Sequence, residues 1–275
     1  MNKHNANNER IKRQYFRFLK EAKRQNEASV DAVAKALNRF EVYTRFRDFK
    51  SFHFNQAVAF KKHLAGEKNQ KSGKNLSKAT MHATLGHLKC FFQWLSDKPG
   101  YKSRIRYTDA EYFNLSEKDT RVATARRQKP VPTLEQVKHV ISTMPTNSEI
   151  ERRDRALIAF ILLTGMRDGA IASVKLKHID LVASSVFQDA REVNTKFSKT
   201  FTTYFFPVGD SIRNIVIDWV SYLRGEKLWG NEDPLFPATK VALGNARRFE
   251  AAGLERKHWS SATAIRGIFK KAFID

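Results

Sequence analysis

The stretch Phe160 to Leu176, FILLTGMRDGAIASVKL, limits the possible folds most sharply. Leu157, Phe160, Ile161 and Leu163 recur at helical spacing, and Ile171, Val174 and Leu176 do so again beyond Gly165. Two buried helical faces this close together need a shared core and a tight break between them. Glycine best tolerates the left-handed backbone of such a break. Arg167 follows two residues later. A guanidinium there stands on a rigid floor and can present its planar fork to a phosphate. The plainer alternative is a surface ion pair at a helix–helix turn.

Charge bears on which of these applies. Fifty Lys+Arg against 28 Asp+Glu give a net charge of +22, which points to a polyanionic partner. The excess is concentrated early: residues 1–130 hold 29 basic and 12 acidic side chains, residues 131–275 hold 21 and 16. The basic residues alternate with aromatics along core-forming segments and form no polybasic tail beside an anchor, which favours nucleic acid over a membrane surface. With 41% hydrophobic and 12% aromatic residues the chain can bury a substantial core. No apolar run approaches the roughly 18 residues of a membrane span, and Met1 to Glu9 is polar, unlike a secretory signal. The single cysteine, Cys90, excludes an intrachain disulfide and fits a reducing compartment; beside Leu88, Phe91 and Phe92 it reads as a small buried hydrophobe. No paired Cys/His spacing and no glycine-rich phosphate loop supports metal or nucleotide chemistry.

Before residue 116 the pattern predicts four amphipathic helices in a small bundle. The first runs from Glu9 with Ile11, Tyr15, Phe18 and Leu19 inward and Lys12, Arg13 and Arg17 on its basic face. The second starts at Ser29 as N-cap and carries Val33, Ala36, Leu37 and Phe40. Phe46, Phe49, Phe52 and Phe54 form an aromatic cluster leading to a third helix with Val58, Phe60 and Leu64; they are read as core rather than base-stacking platforms. A lysine-rich loop, Gly66 to Leu76, contains Lys71 and Lys74. The fourth helix opens at Ser77 and holds Lys78, Met81, Leu85, Leu88, Phe92 and Leu95.

Residues 116–132, SEKDTRVATARRQKPVP, lack apolar periodicity and read as an exposed boundary. The expected division is a helical domain over 1–120, a basic linker over 121–132 with Arg126, Arg127 and Lys129, and a second domain over 133–275. Thr133 caps a helix to Met144, and another from about Ser148 or Glu149 enters the Arg167 stretch. The period then becomes alternating: Val186-Phe187 and Phe201 to Val208 predict strands around a polar turn. Asp210-Ser211 caps a helix with Ile212, Val216, Trp219 and Leu223, Gly225 to Pro237 is loop, and Ser261 to Phe273 is a last helix. The fold class is therefore mainly α with a small antiparallel sheet (α+β).

ALIAFILLTGMRDGAIASVKLKHID resembles the first-arginine box of the tyrosine recombinases, the site-specific DNA recombinases of the phage-integrase class. Thr164, Gly165, Met166, Arg167 and Leu176 to Asp180 carry the likeness, and Leu235-Phe236-Pro237 resembles a second family marker. Ala170 stands where the family usually has an acidic residue. The resemblance implies a helical core-binding domain and a catalytic domain that clamp duplex DNA for strand exchange through a phosphotyrosine, without metal or cofactor. It implies Arg167 as a phosphate-holding catalytic residue and a hairpin lysine as acid: counting back from Pro207 gives Lys199, with Lys196 the alternative. In the clamp, Lys12, Arg13, Arg17, Lys71, Lys74, Lys78, Arg126, Arg127 and Lys129 would contact backbone phosphates. A cytoplasmic setting on bacterial or phage DNA follows, with the full-length protein a tetramer on DNA and this chain a monomer in free solution.

None of the eight histidines has arginine three residues later, so the family's His-x-x-Arg motif is missing. His258-Trp259 reads as a loop pair, because Ser261 stands at the arginine position, and Tyr204 and Tyr222 follow no second-arginine box. The expectation is a recombinase chain that stops before the nucleophile and binds DNA without cleaving it. A non-catalytic DNA-binding protein or regulator on the same fold is the alternative; an RNA-binding protein would have no preference for a duplex.

Overall fold

The computed structural model describes residues 4–69, 73–126, 128, 130–244 and 248–273. The chain divides into two compact units, Met1–Lys129 and Pro130–Asp275. It is α+β, with helices predominating and two small antiparallel sheets.

The first unit holds α1 (Ala6–Arg17), α2 (Glu27–Tyr43), α3 (Phe54–Gly66), α4 (Lys78–Leu95) and α5 (Glu117–Thr124). Side-chain caps set several starts. Asn5 accepts from the N–H groups of Asn7 and Asn8, and Ser77 accepts from Thr80 N at 3.1 Å. Helix α2 is capped by Asn26, which accepts from Ser29 N at 2.9 Å, so Ser29 lies within the first turn rather than at the cap. The core is aromatic: Phe40, Phe49, Phe52, Phe60, Phe91, Phe92 and Phe113 are buried, with Phe52 and Phe92 stacked at 3.8 Å between centroids. Of the four clustered phenylalanines only Phe49 and Phe52 are core; Phe46 is half-buried and Phe54 lies exposed beside Tyr112. Cys90 is exposed, a correction: the buried stripe Met81, Leu85, Leu88, Phe92 occupies the opposite side of α4. The expected linker begins instead with α5, capped by Ser116, which packs on α4 and holds Lys78 to Asp119 at 3.0 Å. This helix has no buried side chain, which is why apolar periodicity does not reveal it.

The second unit is built on α7 (Glu149–Thr164), preceded by α6 (Leu134–Thr143) and followed by the one-turn α8 (Asp168–Ile171). Thr133 and Ser148 both form capping boxes, with Gln136 and Glu151. Ala156, Leu157, Phe160 and Leu163 of α7 face a core that includes Val216 and Trp219 of α9 (Asp210–Ser221), Leu235 and Phe236. The strands β1 (Ile179–Asp180), β2 (Ser185–Gln188) and β3 (Phe201–Tyr204) form one sheet in that order, with Ile179 opposite Val186 and Val186 opposite Thr203. Strand β3 stops at Tyr204, short of Val208; beyond it Phe206 N–H bonds to α7 instead of continuing the ladder. Gly209, with φ 115°, precedes α9, so Asp210 is its first residue rather than its cap. A second hairpin, β4 (Ala238–Leu243) and β5 (Phe249–Glu255), is absent from the sequence expectation. Both strands are largely exposed, and neither has a buried face to impose alternation. Helix α10 (Thr263–Ala272) packs through Ile265, Ile268 and Phe269. No helix among the described residues is long and apolar enough to cross a membrane.

Candidate nucleic-acid interface

Helix α7 ends where its sequence demands. Gly165 adopts φ 60°, and its N–H bonds to Ile161 O at 2.8 Å. A Cβ on Gly165 would stand 3.2 Å from the half-exposed ring of Phe206, which would have to give by a few tenths of an ångström, so it is the backbone that favours glycine. Thr164 donates its hydroxyl to Phe160 O at 2.7 Å and accepts from Met166 N at 3.3 Å. Met166 is buried, which turns Arg167 outward. The Arg167 carbonyl accepts from Ala170 N and Ile171 N, each at 3.0 Å, so its backbone is fixed. Its guanidinium is exposed and has no hydrogen bond or ion pair among the described residues. The ion-pair alternative for Arg167 is therefore not the one the molecule adopts. Ala170, at the position usually acidic, is buried at 2% exposure in apolar surroundings.

The β2–β3 hairpin is fastened to this turn on both sides. Asn194 N–H donates to Ser173 Oγ at 2.8 Å, and Phe206 N–H donates to Leu163 O at 2.7 Å. Val193 is buried, and Thr200 Oγ1 accepts from Ala190 N at 3.0 Å. Asp189 grips Arg191 through Nε and Nη2, and that pairing holds its carboxyl down at about 2. Residues 196–199 then project, all exposed. Lys196 Nζ sits 5.0 Å from the ring centroid of Phe197, whose φ of 62° is unusual for an aromatic residue. Lys199 has no partner among the described residues.

Other cations here are already committed. Lys175 and Lys177 each bond both Glu192 and Glu232, at 2.7–3.0 Å, which ties the exit of α8 to the hairpin and to the loop before β4. The two lysines hold the Glu192 carboxyl down at about 2. His178 is buried, accepts from Lys175 N at 3.0 Å and has Nε2 3.6 Å from Glu192; burial lowers its pKa. His258 and Trp259 lie in a loop, with the Trp259 ring 5.0 Å from the Arg153 guanidinium.

The first unit's candidate contacts separate in the same way. Lys12 is already paired: its Nζ bonds Glu9 at 2.7 Å and fully buried Glu41 at 2.6 Å. Burial would lower its pKa, but the two carboxylates outweigh that and raise it. Lys78 is engaged by Asp119. Arg13, Arg17, Lys74 and Arg126 are exposed and have no ion-pair partner among the described residues. Lys71, Arg127 and Lys129 lie outside the described residues.

Sequence reasoning missed Arg266. From α10 it donates Nε to Asp168 Oδ2 at 2.6 Å, across 98 positions of chain, and so reaches the residue next to Arg167. No periodicity or motif marks such a pairing in advance.

No family model and no curated protein matches the chain. Among solved structures it is similar to the Tn1549 transposon integrase in complex with transposon right-end DNA, at 12% identity and a TM-score of 0.58, over 95% of this chain and 78% of that one. The chain has the tyrosine-recombinase fold. Also similar are XerA recombinase (15% identity, 97% of this chain and 78% of that one, TM-score 0.35) and the integrase of mycobacterium phage Brujita (16%, 96% and 71%, 0.29). On the recombinase fold, the Arg167 turn and the lysine hairpin are neighbours because Asn194 and Phe206 fasten them together.

Proposed function

We propose that these 275 residues are the DNA-gripping body of a site-specific recombinase. The reading rests on one observation: an exposed, unpaired arginine on an over-determined turn, with a two-lysine hairpin tied to that turn at both ends. Arg167 holds the scissile phosphate, and Lys199, with Lys196 as the alternative, protonates the departing sugar oxygen. Arg13, Arg17, Lys74 and Arg126 contact backbone phosphates from the helical unit, which acts as the core-binding half of a clamp. The net charge of +22 and the likeness to an integrase solved with transposon DNA support duplex DNA as partner. The polypeptide is a monomer in free solution and does not itself form the covalent phosphotyrosine. Tyr222 is buried and donates to Glu149 at 3.0 Å, and Tyr204, though exposed, lies on β3.

A second reading, a non-catalytic DNA-binding protein on this fold, is favoured by Ala170, whose buried site carries no carboxylate at the position where the family usually has one. The test selects duplexes from a random pool by binding, then nicks the selected sequence and runs it on native and denaturing gels. A shifted native band without a covalent band is the expected result. A covalent band would refute the statement about cleavage, and the absence of any shift at low salt would refute the DNA reading.

A further inference from the structure

Among the described arginines of the second unit, Arg266 is the one that a carboxylate positions without consuming. Arg153, Arg191 and Arg256 each dock on a neighbouring aspartate through both Nε and Nη2. Arg266 bonds Asp168 through Nε alone. Its side chain is 69% exposed, and its two Nη groups have no partner among the described residues. Asp168 is itself fixed, since its other oxygen accepts from Gly169 N at 2.8 Å. The base of Arg266 is equally firm: Ile265 is buried, and Ile268 and Phe269 hold α10 against the core. A side chain held at Nε with its Nη edge open is preorganised for the two-point grip that suits a phosphate.

Asp168 adjoins Arg167 in sequence, and Cα atoms of neighbours lie about 3.8 Å apart. The bond to Asp168 therefore holds the Arg266 guanidinium at the residue next to Arg167, and the carboxylate there is paired rather than left to repel DNA. We propose that Arg266 is a second phosphate-binding residue, oriented by Asp168, which grips the DNA backbone next to the phosphate held by Arg167. This rests on the DNA-binding reading above. It adds a contact from α10 that no motif marks.

The test measures affinity for a random-sequence duplex of about three helical turns across a salt series. The variants are Arg266→Ala, Arg266→Lys and the pair Arg266→Ala with Asp168→Asn, with thermal melting as the folding control. Arg266→Ala is expected to bind about tenfold more weakly, the effect of losing a charge-assisted contact. Its log–log salt slope should fall by about 0.9, the value of one phosphate contact. Arg266→Lys should keep the slope, and the double variant should stay as weak as Arg266→Ala. Wild-type affinity and slope in Arg266→Ala would overturn the proposal. So would recovery in the double variant, because Arg266 would then only mask Asp168. In both cases DNA binding by the wild type would leave the broader reading standing; failure of the wild type to bind would overturn both.

Discussion

The two ends of α7 use arginine in opposite ways. Near its N-terminus Arg153 is 2% exposed, docks on Asp154, donates to Pro237 O and Thr239 Oγ1, and stacks under Trp259. Just past its C-terminus Arg167 is exposed and bonds nothing through its side chain. One charge fixes the start of β4 against the helix. The other is held ready by a turn made rigid around it. The same contrast separates Lys12 from Arg13, and Lys175 from Lys199.

Breaking the satisfied end should have the largest effect. Arg153→Ala leaves the half-buried Asp154 carboxylate, the Pro237 carbonyl and the Thr239 hydroxyl without their donor, and should cost about 3 kcal/mol in urea unfolding. DNA affinity per folded molecule should stay unchanged; a loss of less than 1 kcal/mol would show that the guanidinium is not the tie described here. Gly165→Ala comes next, at about 1–2 kcal/mol for a side chain in left-handed backbone. The strained turn should also weaken DNA binding. If the melting temperature does not change, the rigid-floor argument fails.

Smaller effects belong to the hairpin. Lys199→Ala should leave stability within about 0.5 kcal/mol and lower the salt slope of duplex binding by about 0.9. An unchanged slope, with Lys196→Ala lowering it instead, would move the role to Lys196. Glu192→Gln probes the hairpin's anchor. Its carboxyl falls from an ordinary 4.5 to about 2 in the fold, so its contribution is present above 4.5 and is lost as pH drops toward 2. Wild-type stability should decline over that window, more steeply than that of Glu192→Gln; parallel curves would mean the four-member cluster contributes nothing.

The contrast also explains what the sequence could reveal. Thr164-Gly165 between two apolar faces identifies the turn because backbone geometry and burial both constrain those residues. The cap at Thr133 and the core placement of Phe49 and Phe52 were legible for the same reason. Helix α5 and the β4–β5 hairpin were not, since neither buries a face of its own. Whether a cation is free was illegible throughout. Lys12 and Arg13 are neighbours on one basic stripe, and only the fold places buried Glu41 against the first. Arg266 reaches Asp168 by tertiary packing alone, which no local pattern encodes.

The central claim is that the unspent charge at the end of α7 exists to meet duplex DNA. The most direct test compares wild type with Arg167→Ala for duplex affinity between about 50 and 200 mM salt, alongside thermal melting of both. The account predicts coincident melting curves, an affinity loss of at least about tenfold, and a salt slope lower by about 0.9. Equal affinity and slope in the two proteins would contradict it, and so would a large loss of stability in Arg167→Ala, which would return Arg167 to a structural role.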